Sequence, residues 1–162
     1  MVIICEGMDN SGKSTLARTL QKDLNAALMV APRPRNREMP RHWLLCVNQV
    51  ERHVDHVVLD RVNQISEIVY GNTLRDHSWC SPEDIVLLAG MILVYCRPPD
   101  EVILKFDQSI PQMGGVIDNA RSLLSFYDEL MLTIKNAGCT IYKYDWTVEN
   151  SYLHLLSYLR SI

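Results

Sequence analysis

The chain has 162 residues, of which 48% are hydrophobic and 22% charged, and its net charge is −3 with a pI near 5.9. These values predict one globular domain over residues 1–162, large enough to bury a core without disulfides. No apolar run approaches the ~20 residues that a membrane helix requires. The acidic balance disfavours a protein that coats nucleic acid through bulk positive charge.

The cysteines indicate a reducing compartment. There are five, an odd number, and no two of them form a CxxC pair. The first residues, MVIIC, are too short and lack the basic leader of a secretory signal. We therefore expect a cytoplasmic protein that does not associate with membranes.

Short apolar runs alternate with segments of helical period along the chain. This pattern is typical of an α/β fold with a parallel sheet and helices on both faces. The first run covers residues 2–5, and a helix is predicted from near Lys13 because leucines recur every fourth residue from 16 to 24. A second run covers residues 27–31.

The segment PRPRNREMPR, residues 32–41, follows the second run. Its three prolines predict an irregular basic loop, and helical spacing resumes from Trp43 to Val54. Val57–Asp60 then reads as a buried strand, because consecutive β-branched residues suit a strand covered on both faces.

Two further strands and three helices are predicted in the second half. The strands are Ile92–Cys96 and Thr140–Tyr144. Helices are predicted over residues 81–90, where Ser81 is a suitable cap, over residues 98–106, and over residues 116–137, ending before Gly138.

The segment GMDNSGKS satisfies the phosphate-binding pattern G-x-x-x-x-G-K-[ST]. Gly7 and Gly12 allow the backbone N–H groups to converge on an anion, Lys13 reaches the β- and γ-phosphates, and the Ser14 hydroxyl is placed to ligate Mg²⁺. The predicted ATP-binding residues are Gly7, Asn10, Ser11, Gly12, Lys13, Ser14 and Thr15.

Two motifs resemble those of thymidylate kinases and related deoxynucleoside monophosphate kinases. EGMDNSGKST is similar to the family's phosphate loop, and LDRVNQISEIVYG is similar to its Asp-Arg segment after the third strand. YCRPPDEVI is a weaker match, and PQMGGVIDN with Tyr127 and Asp128 resembles small phage-type members. The resemblance implies the three-layer P-loop NTPase fold, with a five-stranded parallel sheet.

The resemblance also implies roles for several residues. Asp9 would lie by the acceptor phosphate and be needed for catalysis, while Arg61 would contact the reacting phosphates. Asp60 would either bind the metal together with Ser14 or lie near the acceptor. Many members carry an arginine where this chain has Asn10, so another cation must replace it.

The lid stretch contains no such cation, because residues 108–115 include neither Lys nor Arg. Arg97 and Arg121 flank the stretch and are the candidates, and Arg97 is also predicted to bind the substrate. Family members often form homodimers through helices beside the Asp-Arg segment, so a homodimer is a further candidate by analogy.

The acceptor site is predicted to use residues after the second and third strands. Arg33, Arg35 and Arg37 are candidates for binding the acceptor phosphate. Ser66 and Tyr70 follow the Asp-Arg pair and are further candidates for binding the substrate. Tyr70 either borders a base or packs in the core.

The sequence thus predicts an Mg²⁺-dependent kinase that transfers the γ-phosphoryl group of ATP to a deoxynucleoside 5′-monophosphate, dTMP or a modified pyrimidine analogue. Two alternatives stay open. One is a kinase of a nucleoside or of a hydroxymethylated base in DNA, which the acidic pI disfavours. The other is a P-loop nucleotide-binding module that is not a kinase.

Overall fold

Five strands form a single parallel sheet. We analysed a computed structural model that describes residues 1–107 and 112–162. The strand order is β2-β3-β1-β4-β5, and every neighbouring pair is parallel. The strands are β1 (Val2–Glu6), β2 (Ala27–Val30), β3 (Val57–Asp60), β4 (Ile92–Cys96) and β5 (Thr140–Tyr144). The predicted α/β class and five-stranded parallel sheet are confirmed.

Helices cover both faces of the sheet. They are α1 (Lys13–Asp23), α2 (Met39–Glu51), α3 (Asn63–Leu74), α4 (Asp100–Ile103), α5 (Ala120–Asn136) and α6 (Ser151–Arg160), with a 3₁₀ helix at Pro82–Leu88. Within the described residues, none of the helices combines the length and the apolar character needed to cross a membrane.

The two core layers meet at β1, which is buried along its whole length. Val2 and Ile4 belong to the cluster that includes residues of α2, α3 and α5. Ile3 and Cys5 belong to the cluster on the other face, with residues of α1 and α6. Because β1 lies between β3 and β4, the loops that follow all three strands open at the same edge of the sheet, where doubly wound folds bind ligands.

The structure corrects four predicted boundaries. The irregular loop ends before Met39, because Pro40 lies in the first turn of α2, where its missing N–H costs no helical hydrogen bond. The helix predicted over residues 81–90 is a 3₁₀ helix, although Ser81 does form the expected cap with Asp84. The segment 98–106 contains only four helical residues, and α5 begins at Ala120 rather than at 116.

Candidate functional site

The phosphate loop follows β1, and three residues with left-handed φ shape its backbone. Gly7, Asn10 and Gly12 have φ values of 149°, 68° and 84°. A Cβ at Gly7 would lie 2.6 Å from the carbonyl oxygen of Cys96, so a side chain does not fit there. Ser11 is completely buried, and its hydroxyl has no hydrogen-bond partner in the described residues. A buried polar atom without a partner, in a glycine loop that leads into a helix, is typical of an anion site.

Lys13 begins α1, and its side chain folds back over the loop. Its Nζ donates to the carbonyl oxygen of Met8 at 3.3 Å and lies 3.6 Å from Oδ1 of Asp9. Burial, aided by the charge of Arg61, lowers the pKa of Lys13 to about 8, and Asp9 opposes this shift. An anionic ligand in the loop would add to the counter-charge that Asp9 supplies.

Arg61 follows β3 with a φ of 73° and places its guanidinium beside the end of β1. Its Nη1 donates to the hydroxyl of Tyr127 at 3.2 Å and lies 3.6 Å from Oε1 of Glu6. Glu6 is completely buried, and its carboxylate accepts hydrogen bonds from two backbone N–H groups and from Tyr127. Burial raises the pKa of Glu6, although Arg61 and the backbone hydrogen bonds act against the shift. Arg61 is therefore the main counter-charge of a carboxylate that water does not reach.

Asp9 connects the phosphate loop to Arg61 and to α3. The Arg61 Nη2 atom donates to Oδ1 of Asp9, and the Tyr70 hydroxyl donates to Oδ2 at 3.0 Å. The guanidinium also lies over the Tyr70 ring, 5.3 Å from its centroid. Burial raises the pKa of Asp9, but the charges of Arg61 and Lys13 outweigh burial and leave that pKa below its usual value. Asp9 is thus an ionised carboxylate shared by two cations.

A cavity of about 300 Å³ opens beside this charged cluster. It is lined by the segments that follow β2 and β3, by α3, and by residues 112–113. Of the predicted acceptor residues, Arg33, Ser66 and Tyr70 line it, together with Asp9 and Arg61. The predicted lid begins outside the described residues, at 108–111, while its residues 112 and 113 reach this cavity.

One wall of the cavity carries polar atoms without partners. Among the described residues, Nδ2 of Asn63, Oε2 of Glu67 and Nε of Arg75 are buried and make no hydrogen bond. Asn63 and Glu67 are 3% and 6% exposed, and all three residues line the cavity. The other carboxylate oxygen of Glu67 is paired with Arg75 at 3.0 Å. Buried polar atoms are nearly always paired, so these three residues leave hydrogen-bonding capacity unused beside the cavity.

Ser14 and Asp60, the predicted Mg²⁺ ligands, lie at the same edge of the sheet. In the described part of the chain, the Asp60 carboxylate has neither a hydrogen bond nor an ion pair, and its charge raises the pKa of Lys13. A hydroxyl and a carboxylate suit Mg²⁺, which takes few protein ligands beside phosphate oxygens. No cluster of three or more His, Cys, Asp or Glu side chains suited to a metal occurs among the described residues. The donor set therefore fits Mg²⁺ held jointly with a nucleotide.

The side chain of Asn10 makes contacts that were not predicted from the sequence. Its Nδ2 donates to the carbonyl oxygens of Val102, Ile103 and Lys105 at 3.2, 3.0 and 3.0 Å. These carbonyls belong to the end of α4 and the residues that follow it, where helical hydrogen bonds run out. Asn10 therefore ties the phosphate loop to the chain after α4 through its amide nitrogen.

Replacing Asn10 with aspartate is expected to lower the free energy of unfolding by about 1–2 kcal/mol, because the change removes the N–H donor and brings a negative charge toward three carbonyls. Asn25 is the matched control, since it also has a left-handed φ, 50°, and is exposed. Asn25→Asp should change stability by less than about 0.5 kcal/mol. Urea denaturation of both variants measures the difference, and equal losses would contradict the tethering role.

Three predicted acceptor arginines lie away from the cavity. Arg97 is held by Asp128 at 3.0 Å and by Asp100 at 2.7 Å, so two carboxylates already neutralise its guanidinium. Arg35 and Arg37 are exposed and are not among the lining residues. The proline-restrained loop directs only its first arginine, Arg33, to the cavity.

No role was predicted from the sequence for Glu6 or Tyr127, although both belong to the motifs that carry the family resemblance. Glu6 precedes the phosphate loop, and a carboxylate at the end of an apolar strand was an available signal. Tyr127 lies on the apolar face of α5, where a tyrosine is indistinguishable from an ordinary core residue. Its stacking on Tyr95 and edge contact with Tyr70 appear only in the folded protein.

Comparisons with known proteins identify the fold. The sequence matches no family model and no curated protein. YorR from Bacillus subtilis, solved with phosphorylated GDP, is similar in structure, with a TM-score of 0.75 and 23% identity over 99% of this chain and 96% of that chain.

Two kinases are also similar in structure. Thymidylate kinase from Candida albicans has a TM-score of 0.66 and 15% identity, over 99% of this chain and 91% of that chain. Deoxyadenosine kinase from M. mycoides, solved with dCMP and dCDP, has a TM-score of 0.63 and 14% identity over the whole of both chains. The chain therefore has the P-loop fold of nucleoside and nucleotide kinases.

Proposed function

We propose that this protein is a deoxynucleoside monophosphate kinase that transfers the γ-phosphoryl group of ATP to dTMP or to a modified pyrimidine analogue. The observation that carries the proposal is the sharing of Asp9. Asp9 pairs with Lys13 of the phosphate loop and with Arg61. Both Asp9 and Arg61 also line the cavity of about 300 Å³. Donor and acceptor phosphates would therefore meet at one charged cluster.

Phosphoryl transfer at this cluster depends on positioning and on charge neutralisation. The bond between the γ-phosphorus and the bridging oxygen of ADP breaks, and a bond forms to an oxygen of the acceptor phosphate. Lys13 and Arg61 would neutralise the equatorial oxygens, while Asp9 would orient the acceptor. Mg²⁺ held by Ser14 and Asp60 with the nucleotide would supply further positive charge at the donor phosphates.

Arg33 is the candidate for binding the acceptor phosphate. It lines the cavity, it is exposed, and within the described residues its guanidinium has no ion pair. Pro32 and Pro34 flank it and restrict the backbone, which lowers the entropy lost when the guanidinium binds. Arg61, already held by Glu6 and Asp9, would contact the transferring group.

The unpartnered atoms of the polar wall support a pyrimidine with an imide edge. Asn63 and Glu67 are four residues apart on α3 and share a face, and Arg75 reaches Glu67 from beyond the end of the helix. Turned toward a bound base, Asn63 and Arg75 would supply donors on either side of the Glu67 carboxylate, which neighbours both. Thymine and uracil present the complementary carbonyl, N–H and carbonyl, whereas the edges of cytosine and guanine match only part of this order.

A panel of acceptors tests the proposal directly. The protein is incubated with Mg²⁺, labelled ATP and either deoxynucleoside monophosphates, nucleosides or short DNA, and label transfer is followed. Transfer to dTMP or an analogue is expected. Transfer only to nucleosides or DNA would favour the alternative kinase, and slow ATP hydrolysis without transfer would favour a nucleotide-binding module.

Glu67→Gln is expected to lower the ratio of kcat/KM for dTMP to that for dCMP at least tenfold, because it removes the charged acceptor at the centre of the wall. The same ratio should be unchanged in Glu101→Gln, an exposed position on α4. N3-methylated dTMP, which lacks the central N–H, should be a poor acceptor for the wild type. Equal use of the methylated substrate would contradict this assignment of the wall without affecting phosphoryl transfer.

ATP binding is expected to take up a proton above pH 8. The pKa of Lys13 is about 8 in the free protein, so part of the population is neutral there, and triphosphate oxygens would raise that pKa. Affinity should fall as pH rises from 8 to 9. Calorimetry in buffers of different ionisation enthalpy measures the uptake, and its absence would contradict the contact between Lys13 and the phosphates.

A further inference from the structure

A second, larger cavity adjoins the phosphate loop on the side away from the acceptor. Its volume is about 780 Å³, and it lies between the start of α1 and the segment that joins β5 to α6. The residues shared with the phosphate loop are Asn10, Gly12, Lys13, Ser14 and Thr15. A triphosphate in the loop would therefore have its nucleoside end beside this cavity.

Trp146 forms the wall of this cavity next to the loop. It follows β5 and remains 47% exposed, which is unusual for so large an aromatic ring. Its indole lies against Gly12, because a Cβ built there would be 2.9 Å from Cδ1 and 3.0 Å from Nε1. The loop and the indole are thus in direct contact, and half of the indole remains available to a ligand.

The other side chains around the cavity offer few free polar atoms. The Tyr152 hydroxyl donates to Oδ2 of Asp23 at 2.7 Å, and the Thr19 hydroxyl donates to the carbonyl oxygen of Thr15 at 3.0 Å. Tyr144 is buried. Arg18 is an exception, because it lines the cavity, is exposed and has no hydrogen bond or ion pair within the described residues. The cavity thus offers a base two flat groups that can stack on any base, the Trp146 indole and the Arg18 guanidinium.

We propose that Trp146 stacks on the base of the donor nucleotide, and that the base is held by its face rather than by its edge. Stacking of this kind accepts any base, because every base has a π-face. ATP and GTP should therefore bind with similar affinity and serve equally as donors. The inference rests on the proposed function only in assuming that a nucleoside triphosphate occupies the phosphate loop.

Equilibrium binding tests this inference without any measurement of phosphoryl transfer. Calorimetry with Mg-ATP, Mg-GTP and inorganic tripolyphosphate is carried out on the wild type, Trp146→Ala and Trp146→Phe. The wild type should bind ATP and GTP within about fivefold of each other. Trp146→Ala should weaken both about tenfold or more and leave tripolyphosphate unchanged, while Trp146→Phe should retain most of the affinity.

Tryptophan fluorescence supplies a second measurement. ATP should quench the emission of the wild type, and the quenching should disappear in Trp146→Phe, in which Trp43 and Trp79 remain. Leu132→Ala, at an exposed position on α5, is the control for the loss of a large surface side chain.

Three outcomes would overturn the inference. They are wild-type ATP affinity in Trp146→Ala, a wild-type preference for one purine of more than about fivefold, and equal binding of tripolyphosphate and ATP by the wild type. In the last case the phosphate-loop assignment would stand. Binding of neither ATP nor tripolyphosphate would overturn the proposed function as well.

Discussion

Replacing Lys13 with alanine is expected to reduce phosphoryl transfer by about 1,000-fold or more. Lys13 begins α1 at the phosphate loop, and its ammonium group lies within 3.6 Å of the Asp9 carboxylate that connects it to Arg61. Removing it leaves the transferring phosphoryl group without one of the two cations that would neutralise it. Label transfer from ATP to dTMP measures the loss.

The Lys13→Ala variant should remain folded. The lowered pKa of Lys13 shows that the folded protein disfavours its charge, and Asp9 keeps Arg61 as a partner when the lysine is absent. Lys22→Ala, at an exposed position on the same helix, is the control and should transfer label as the wild type does. Full activity in Lys13→Ala would contradict the proposed role of the loop.

Replacing Arg61 with methionine is expected to lower the free energy of unfolding at pH 7 by about 3–5 kcal/mol. The reason is Glu6, which is completely buried and would lose its main counter-charge while keeping its hydrogen bonds. Methionine retains much of the side-chain volume, so the effect reports the charge rather than a cavity. Denaturant unfolding measures the loss.

The loss should depend on pH in a defined direction. The pKa of Glu6 is already raised, and without Arg61 it would rise further. A carboxyl with a raised pKa binds more protons in the folded state, so stability is fully present below its unfolded pKa and is lost as pH rises through the folded pKa. The deficit of Arg61→Met relative to the wild type should therefore grow as the pH rises above the ordinary pKa of a glutamate.

A double-mutant cycle separates this charge effect from a general loss of packing. Glu6→Gln removes the buried charge, but its NH2 group cannot accept one of the hydrogen bonds that the two carboxylate oxygens accept, so the single variant also loses stability. The double variant Glu6→Gln/Arg61→Met should lose less stability than the sum of the two single changes, because no buried charge is left unpaired. A double variant as unstable as the sum of the two single changes would show that Arg61 and Glu6 act independently.

The same cluster explains why Arg61 would be held for catalysis. Glu6, Asp9, Tyr70 and Tyr127 all contact its guanidinium, and its own left-handed backbone places it at the end of β3. A cation held on several sides loses little entropy when a phosphate arrives. Its structural and proposed catalytic roles therefore depend on the same contacts.

The sequence by itself determined the strands and the turn whose geometry depends on residues adjacent in the chain. Val57–Asp60 and Ile92–Cys96 were predicted with the bounds that the structure shows, because runs of buried apolar residues form central parallel strands. The glycine spacing of the phosphate loop predicted a turn between β1 and α1 because only glycine readily adopts its left-handed φ at Gly7 and Gly12.

Only the tertiary structure decided which distant side chains meet. Tyr127 reaches Glu6 from 121 residues away, and Asn10 binds carbonyls that lie 92 to 95 residues along the chain. Arg97 and Arg33 are both arginines beside prolines, yet only Arg33 lines the cavity beside Asp9 and Arg61. Such contacts depend on the strand order and on how α5 and the chain after α4 pack against β1, and a short motif contains no information about either.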